Sequence, residues 1–70
     1  MIVTILEALE NADYNLRENR KTLGEIAIKL AEGQLHNAVE LLLKGYSLDD
    51  EVEPLINEHG TVENVPEKAE

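Results

Sequence analysis

Apolar residues recur along the first half of the chain at alternating spacings of three and four. In the opening stretch, this spacing places them on one face of a helix. The residues concerned are Ile2, Ile5, Leu9, Ala12 and Leu16. We therefore predict a first helix over about residues 3–20.

Two features of this segment leave alternatives open. Asn11, Asp13 and Asn15 are poor helix formers, because their side chains compete for backbone hydrogen bonds, so the helix could break near Asp13. β-Branched residues dominate positions 2–6, which could instead form a short strand. Residues 61–65 would be the candidate partner for such a strand.

The next boundary is predicted at Thr22. Thr22 and Glu25 have the spacing of a capping box, in which each side chain bonds to the other residue's amide. Apolar stripes follow over residues 23–32 and 34–44, with Gly33 between them and Gly45 after them. Because glycine commonly ends helices, we predict two separate helices here, with a kink at Gly33 as the alternative.

Residues 48–59 are interpreted as a fourth helical element. Pro54 suits the first turn of a helix better than its interior, and Gly60 closes the element. Residues 61–70 are polar and charged, which predicts a flexible, disordered acidic tail. The sequence thus predicts an all-α fold, a small helical bundle of three to four short helices that forms one domain over residues 1–60.

The chain is strongly acidic, with 15 Asp and Glu against 6 Lys and Arg and a net charge of −9. Phosphate backbones and anionic membrane surfaces repel such a charge, so we expect no direct binding to nucleic acid or membrane. No segment is long and apolar enough to span a bilayer, and residues 1–6 lack the basic start and the length of a signal peptide. We therefore expect a cytoplasmic location.

Catalytic and metal-binding chemistry is not indicated. Cysteine is absent, and His36 and His59 lie far apart without a neighbouring Ser or acid arranged as a relay. The densest acidic cluster does not match a calcium-binding loop, because Pro54 stands where that loop has glycine. We therefore expect no enzyme activity, no cofactor and no bound metal.

Three asparagines follow one face of the predicted first helix. Asn11, Asn15 and Asn19 stand four residues apart, and this spacing aligns side chains along a helix. Their amides could form hydrogen bonds across an interface. A polar surface is the simpler interpretation.

Surplus apolar surface supports the first functional hypothesis. A chain of this size buries only about 60% of the surface that its unfolded form exposes, so self-association is an economical route to stability. The third predicted helix is also apolar over more than a core-facing stripe, which indicates a partner. We expect a protein–protein interaction or regulatory module that forms a homodimer or another homo-oligomer. Its predicted contact residues are Ile28, Leu35, Leu41, Leu42 and Leu43.

The uneven charge supports an alternative. Residues 45–70 contain eight acidic residues and one basic residue, Lys68. Such a segment could imitate phosphates and occupy the nucleic-acid groove of a target protein, as acidic inhibitors of phages and mobile elements do. The predicted acidic patch comprises Asp49, Asp50, Glu51, Glu53 and Glu58.

Overall fold

The computed structural model describes residues 1–67 and shows a helical hairpin packed on a three-stranded antiparallel sheet. The elements follow in the order β1 (Val3–Thr4), α1 (Ile5–Thr22), α2 (Glu25–Leu43), β2 (Glu51–Ile56) and β3 (Val62–Pro66). Strand β2 lies in the middle of the sheet. The fold is therefore α+β, and the prediction of an all-α bundle of three to four helices is wrong.

A capping box starts α1 directly after β1. The Thr4 hydroxyl accepts a hydrogen bond from the Glu7 N–H at 3.1 Å, and the Thr4 N–H donates to the Glu7 carboxylate at 3.0 Å. Two backbone amides at the helix start are thereby satisfied. The helix then runs unbroken past Asp13 to Thr22. The predicted first helix over 3–20 therefore began too early, because residues 3 and 4 are a strand.

The capping box predicted at Thr22 and Glu25 does not form. Thr22 is the last residue of α1, and its hydroxyl donates to the Asn19 carbonyl oxygen at 3.3 Å. Leu23 then adopts a left-handed backbone conformation with φ of 57°. Gly24 is the N-cap residue of α2 and has no side chain with which to cap the helix. Helices α1 and α2 are thus joined by a turn of two residues.

Gly33 does not end a helix, so the helices predicted over 23–32 and 34–44 are one continuous helix, α2. Packing gives the reason for the glycine. A Cβ atom at Gly33 would lie 3.3 Å from the Thr61 Cβ and 3.4 Å from the Val62 nitrogen. The missing side chain therefore allows the start of β3 to approach α2 closely.

Residues 48–59 form a strand and a turn, so the predicted fourth helix is wrong. Burial alternates along this segment as it does in a strand: Val52 is fully buried, whereas Glu51 and Glu53 on either side are not. Pro54 disfavours a helix interior. The turn that follows β2 is held by the Asn57 side chain, which accepts hydrogen bonds from the His59 and Thr61 amides at 2.9 and 3.1 Å.

Pro54 fits the sheet because its missing N–H is not needed there. Its register partner is Asn64, whose N–H points away from β2 and donates to the Asn37 side chain at 2.7 Å. Pro54 and Asn64 therefore face each other at a position where neither amide joins the β2–β3 ladder.

The predicted acidic tail is an ordered strand over Val62–Pro66, so the prediction of disorder is wrong for those residues. Positions 68–70 of that tail lie outside the described residues. A strand does form at Val3–Thr4, but it pairs with Val52 and Glu51 rather than with residues 61–65.

The core lies between the sheet and the base of the helical hairpin, where α1 begins and α2 ends. Buried alanines let the two helices approach each other closely; they are Ala8, Ala12, Ala31 and Ala38. The core cluster comprises Val3, Ile5, Ala8, Ala38, Leu41 and Val52, with Leu9, Leu42 and Tyr46 packed against it.

The sheet covers only part of the hairpin. Beside α2, the chain from Thr61 to Pro66 follows the helix from Gly33 to Lys44. The hairpin therefore projects past the sheet towards the turn at Leu23, in a molecule 39 Å long and 24 by 22 Å across. We call this projecting part the tip.

Candidate functional site

Large apolar side chains are exposed at the tip. Leu23 is 80% exposed and Ile26 is 79% exposed. With Ala27 and Leu30 they line an open cavity of about 580 Å³. Single exposed apolar residues are ordinary, but a continuous patch on a small protein indicates a contact surface.

A second cavity continues this surface along the side of the hairpin that faces the sheet. It has a volume of about 300 Å³, shares Ala27 and Leu30 with the first cavity, and reaches Val62 at the end of the sheet. We call the continuous surface from Leu23 to Val62 the tip groove. Its α1 wall is formed by Asn15 and Asn19.

The amides of this wall retain bonding capacity. Within residues 1–67 the Asn15 side chain makes no hydrogen bond, and Asn19 donates from Nδ2 to the Asn15 carbonyl oxygen at 2.8 Å. The Asn19 Oδ1 is left as a free acceptor in the described part of the chain. Of the three asparagines aligned in the sequence, these two line the groove and Asn11 does not.

The tip differs in charge from the rest of the molecule. Residues 17–29 carry four basic residues, Arg17, Arg20, Lys21 and Lys29, against two acidic residues. All other positions together hold the remaining two basic residues and thirteen acidic residues. Residues 17–29 therefore have a weakly positive charge on a strongly negative protein, but none of the four bases lines the tip groove, whereas Glu25 does.

The predicted contact residues are divided between two environments. Ile28, Leu35 and Leu42 are half-buried and lie about 140–180° around α2 from Gly33, beside the buried Ala31 and Ala38. Leu42 also packs partly against the core cluster. Val39 joins these three residues and is 43% exposed. We call Ile28, Leu35, Val39 and Leu42 the outer stripe.

The other two predicted contact residues lie outside the stripe. Leu43, beside the outer stripe, is 83% exposed, whereas Leu41 is 6% exposed and belongs to the core. The core accounts for the apolar character of Leu41 within a single copy of the chain.

The predicted acidic patch is also divided. Asp49, Asp50 and Glu51 line a concave surface of about 200 Å³ together with Glu67. This surface lies at the hairpin base, because the Ile5 N–H at the start of α1 donates to the Asp50 carbonyl oxygen at 2.9 Å. Glu67 was not predicted; the β2–β3 pairing brings it there, with its N–H donating to the Glu51 carbonyl oxygen at 3.0 Å.

The remaining predicted acids lie apart from this surface. Glu53 is 3.7 Å from the amino terminus. Glu58 lies in the turn beyond the other end of β2, 3.7 Å from the His59 imidazole. His36 is on α2, 3.4 Å from Glu40. Among residues 1–67, no three acidic or histidine side chains are arranged to hold a metal ion.

Over the same described residues, neither helix is long and apolar enough to cross a bilayer. Protein-family models, curated proteins and solved structures contain no match to this chain. Its function is therefore inferred from the surfaces themselves, since a fold alone does not define an activity.

Proposed function

We propose that this protein is a protein-binding module that acts by contact, without catalysis, and that self-associates through the outer stripe of α2. The observation that supports the proposal is the heptad spacing of Ile28, Leu35 and Leu42, with Val39 between them and Leu43 83% exposed beside them. Apolar residues at heptad spacing form the seam along which two helices pack side by side in a coiled coil. Because these side chains are already half-buried, pairing stabilises the assembly only through the apolar surface still exposed, at roughly 25 cal/mol per Å² removed from water.

An antiparallel pair of α2 helices suits the symmetry of a dimer. A twofold dimer uses the same patch on both copies, so each outer stripe packs against the other.

The experiment is sedimentation equilibrium from about 1 to about 100 μM protein, because mass action separates a reversible dimer from a monomer. We expect the wild-type mass to rise to twice the chain mass, and the double variant Val39→Ser/Leu43→Ser to remain monomeric. Leu55→Ser is the matched control, since Leu55 is 48% exposed on β2 and lies away from α2. A wild-type monomer at the highest concentration would contradict self-association.

The acids at the hairpin base favour a second candidate, an inhibitor that imitates nucleic acid. Asp49, Asp50, Glu51 and Glu67 share one concave surface. Asp50 is held in place, because its carboxylate accepts a hydrogen bond from the Ser47 N–H at 2.7 Å. Binding to a basic nucleic-acid-binding protein should then weaken steeply with salt, and Asp49→Asn/Glu67→Gln should reduce it. Salt-independent binding would favour the apolar surfaces instead.

We also propose a cytoplasmic location. The chain has no cysteine, whereas secreted domains of this size are commonly held by disulfides. Fractionation of the native host followed by immunodetection tests this placement, and recovery of the protein outside the cytoplasm would contradict it.

A further inference from the structure

The helical hairpin covers one face of the three-stranded sheet. Val52 and Asn64 point towards the hairpin, where Val52 joins the core and Asn64 forms hydrogen bonds with α2. Residues that alternate with these two therefore point to the other side of the sheet. We call that side the open face. It is formed by Glu51, Glu53 and Leu55 from β2 and by Glu63, Val65 and Glu67 from β3 and the residue that follows it.

Glu53 lies among exposed apolar side chains on the open face. Val65 is its register partner on β3, and Leu55 stands two positions further along β2. Continuing the β1–β2 register by one pair places Ile2 on the other side of Glu53. Ile2 is 51% exposed, Leu55 48% and Val65 39%. Three apolar side chains around one carboxylate form a continuous contact surface, unlike the single exposed apolar residues of an ordinary surface.

Two acidic residues of the open face stand directly opposite each other. The N–H of Glu67 donates to the Glu51 carbonyl oxygen at 3.0 Å, and both residues line the same concave surface. Like charges at facing positions of two strands destabilise a sheet. A positively charged partner would remove this cost.

Few positive charges lie near the open face. Residues 45–67 contain no Lys or Arg. The amino group of Met1 is 3.7 Å from the Glu53 carboxylate. Lys44, at the end of α2, lines a cavity with Glu63 but forms no ion pair among residues 1–67. The open face thus combines exposed apolar side chains with unbalanced negative charge, so it attracts a basic partner and repels a second copy of itself.

The geometry of the open face favours a helix as the occupant. An extended segment adds to a sheet through main-chain hydrogen bonds at an edge strand, whereas a face offers only side chains. Sheet faces are the surfaces on which helices pack. A helix with its side chains is about 10–12 Å across, and strands are spaced about 4.8 Å apart. One helix therefore covers β2 and β3 together.

We propose that the open face binds a basic amphipathic helix of a partner protein. Apolar side chains of that helix pack on Ile2, Leu55 and Val65, and its Lys or Arg residues pair with Glu53 and the glutamates around it. The inference rests on the proposal that this protein acts by contact, but not on self-association, which uses α2. It also differs from nucleic-acid mimicry, which depends on Asp49 at the hairpin base and needs no apolar contact.

The test is an NMR titration of the ¹⁵N-labelled full chain with a defined probe. The probe is an acetylated and amidated peptide of about 18 residues, long enough to be helical, with a stripe of leucines flanked by arginines and alanine elsewhere. One control peptide replaces each arginine with glutamate. A second control keeps the composition but distributes the leucines around the helix.

We expect saturable shifts of the backbone amide signals of β2 and β3. The glutamate peptide should bind at least about tenfold more weakly, because the open face repels its charge. The peptide without a leucine stripe should also bind at least about tenfold more weakly, because it cannot place its apolar side chains together on the face.

Matched variants separate binding at the open face from attraction to an acidic protein in general. Leu55→Ser should weaken binding about three- to tenfold through the loss of apolar contact, and Glu53→Gln by a similar factor through the loss of an ion pair. Glu32→Gln removes the same charge from an exposed position on α2 and should change the affinity less than about twofold. None of the three side chains belongs to the core, so the variants should fold.

Four results would overturn the proposal. They are the absence of saturable shifts, shifts confined to the helices, equal binding of either control peptide, and unchanged affinity of Leu55→Ser. A loss of affinity in Asp49→Asn without a loss in Leu55→Ser would assign the peptide to the hairpin base, and would also overturn it. So would open-face shifts that depend on protein concentration alone, which would assign the face to a second copy.

A further variant separates this site from self-association. Val39→Ser/Leu43→Ser changes the surface of α2 and leaves the open face intact. It should therefore bind the probe normally, so failure of the proposed dimer is distinguishable from failure of this site.

Discussion

The side-chain oxygen of Asn37 accepts a hydrogen bond of 2.7 Å from the backbone N–H of Asn64, 27 positions later in the chain. This bond attaches the middle of α2 to the edge strand β3. It also satisfies an amide that the β2–β3 ladder leaves unpaired, at a strand edge that could otherwise pair with another chain. The Asn64 side chain adds a second link, donating from Nδ2 to the Gln34 carbonyl oxygen at 3.1 Å.

Removal of the Asn37 acceptor should destabilise the protein. Asn37→Ala leaves the part-buried Asn64 N–H without its partner, which costs about 1–3 kcal/mol in the free energy of unfolding. Urea denaturation measures this loss. Asn37→Asp keeps an oxygen at the same position and should lose less. Equal stability of Asn37→Ala and wild type would show that water replaces the bond without cost.

The buried side-chain oxygen of Asn64 also lowers the free energy of unfolding, and substitution should reveal this effect. The residue is 1% exposed, and its Oδ1 has no hydrogen-bond partner among the described residues. Leucine has the same branching as asparagine without its polar atoms. It removes the unsatisfied oxygen, whose burial costs about 1–3 kcal/mol, and also the bond from Nδ2 to Gln34, which contributes about 0.5–1.5 kcal/mol. We expect Asn64→Leu to be at least as stable as wild type and Asn64→Ala to be less stable, because alanine leaves a cavity. A leucine variant less stable than the alanine variant would contradict this account.

The capping box observed at Thr4 and the one predicted at Thr22 lead to different expectations for stability. Thr4→Ala removes the acceptor of the Glu7 N–H and should cost about 1 kcal/mol, whereas Thr4→Ser should cost little. Thr22→Ala should change stability by less than about 0.5 kcal/mol, because Thr22 caps no helix and is exposed. Thermal unfolding of the three variants tests both statements. A larger loss at Thr22 than at Thr4 would restore the capping box suggested by the sequence.

Local patterns predicted the helices better than the sheet. The spacing of Ile5, Ala12 and Leu16 correctly identified the buried face of α1. The error at Gly33 arose because a glycine needed for the close approach of β3 resembles a glycine that ends a helix. Strands β2 and β3 were missed because their pairing is a tertiary relationship. Val52 fits a helical stripe as well as a strand alternation, and only its burial between two more exposed glutamates distinguishes them.

The candidate surfaces were predictable where they depend on one helix. Ile28, Leu35 and Leu42 could be placed together from their spacing alone. Leu41 and Glu67 could not be placed correctly, since the position of each depends on which elements pack against it. The tip groove was found only in part: the asparagine alignment is visible in the sequence, but the conformation of Leu23 is not.

The left-handed backbone at Leu23, with φ of 57°, allows its strain to be tested by substitution. A left-handed backbone costs a non-glycine residue about 1–2 kcal/mol, a cost that glycine does not have. Glycine loses part of this advantage, because its unfolded chain has more conformational entropy. Leu23→Gly should therefore raise the free energy of unfolding by about 0.5–1 kcal/mol. Leu23→Ala is the matched control, because it also removes the leucine side chain but keeps a Cβ, so it should not gain stability. Urea denaturation of both variants measures the difference. A glycine variant no more stable than the alanine variant would contradict strain at this position.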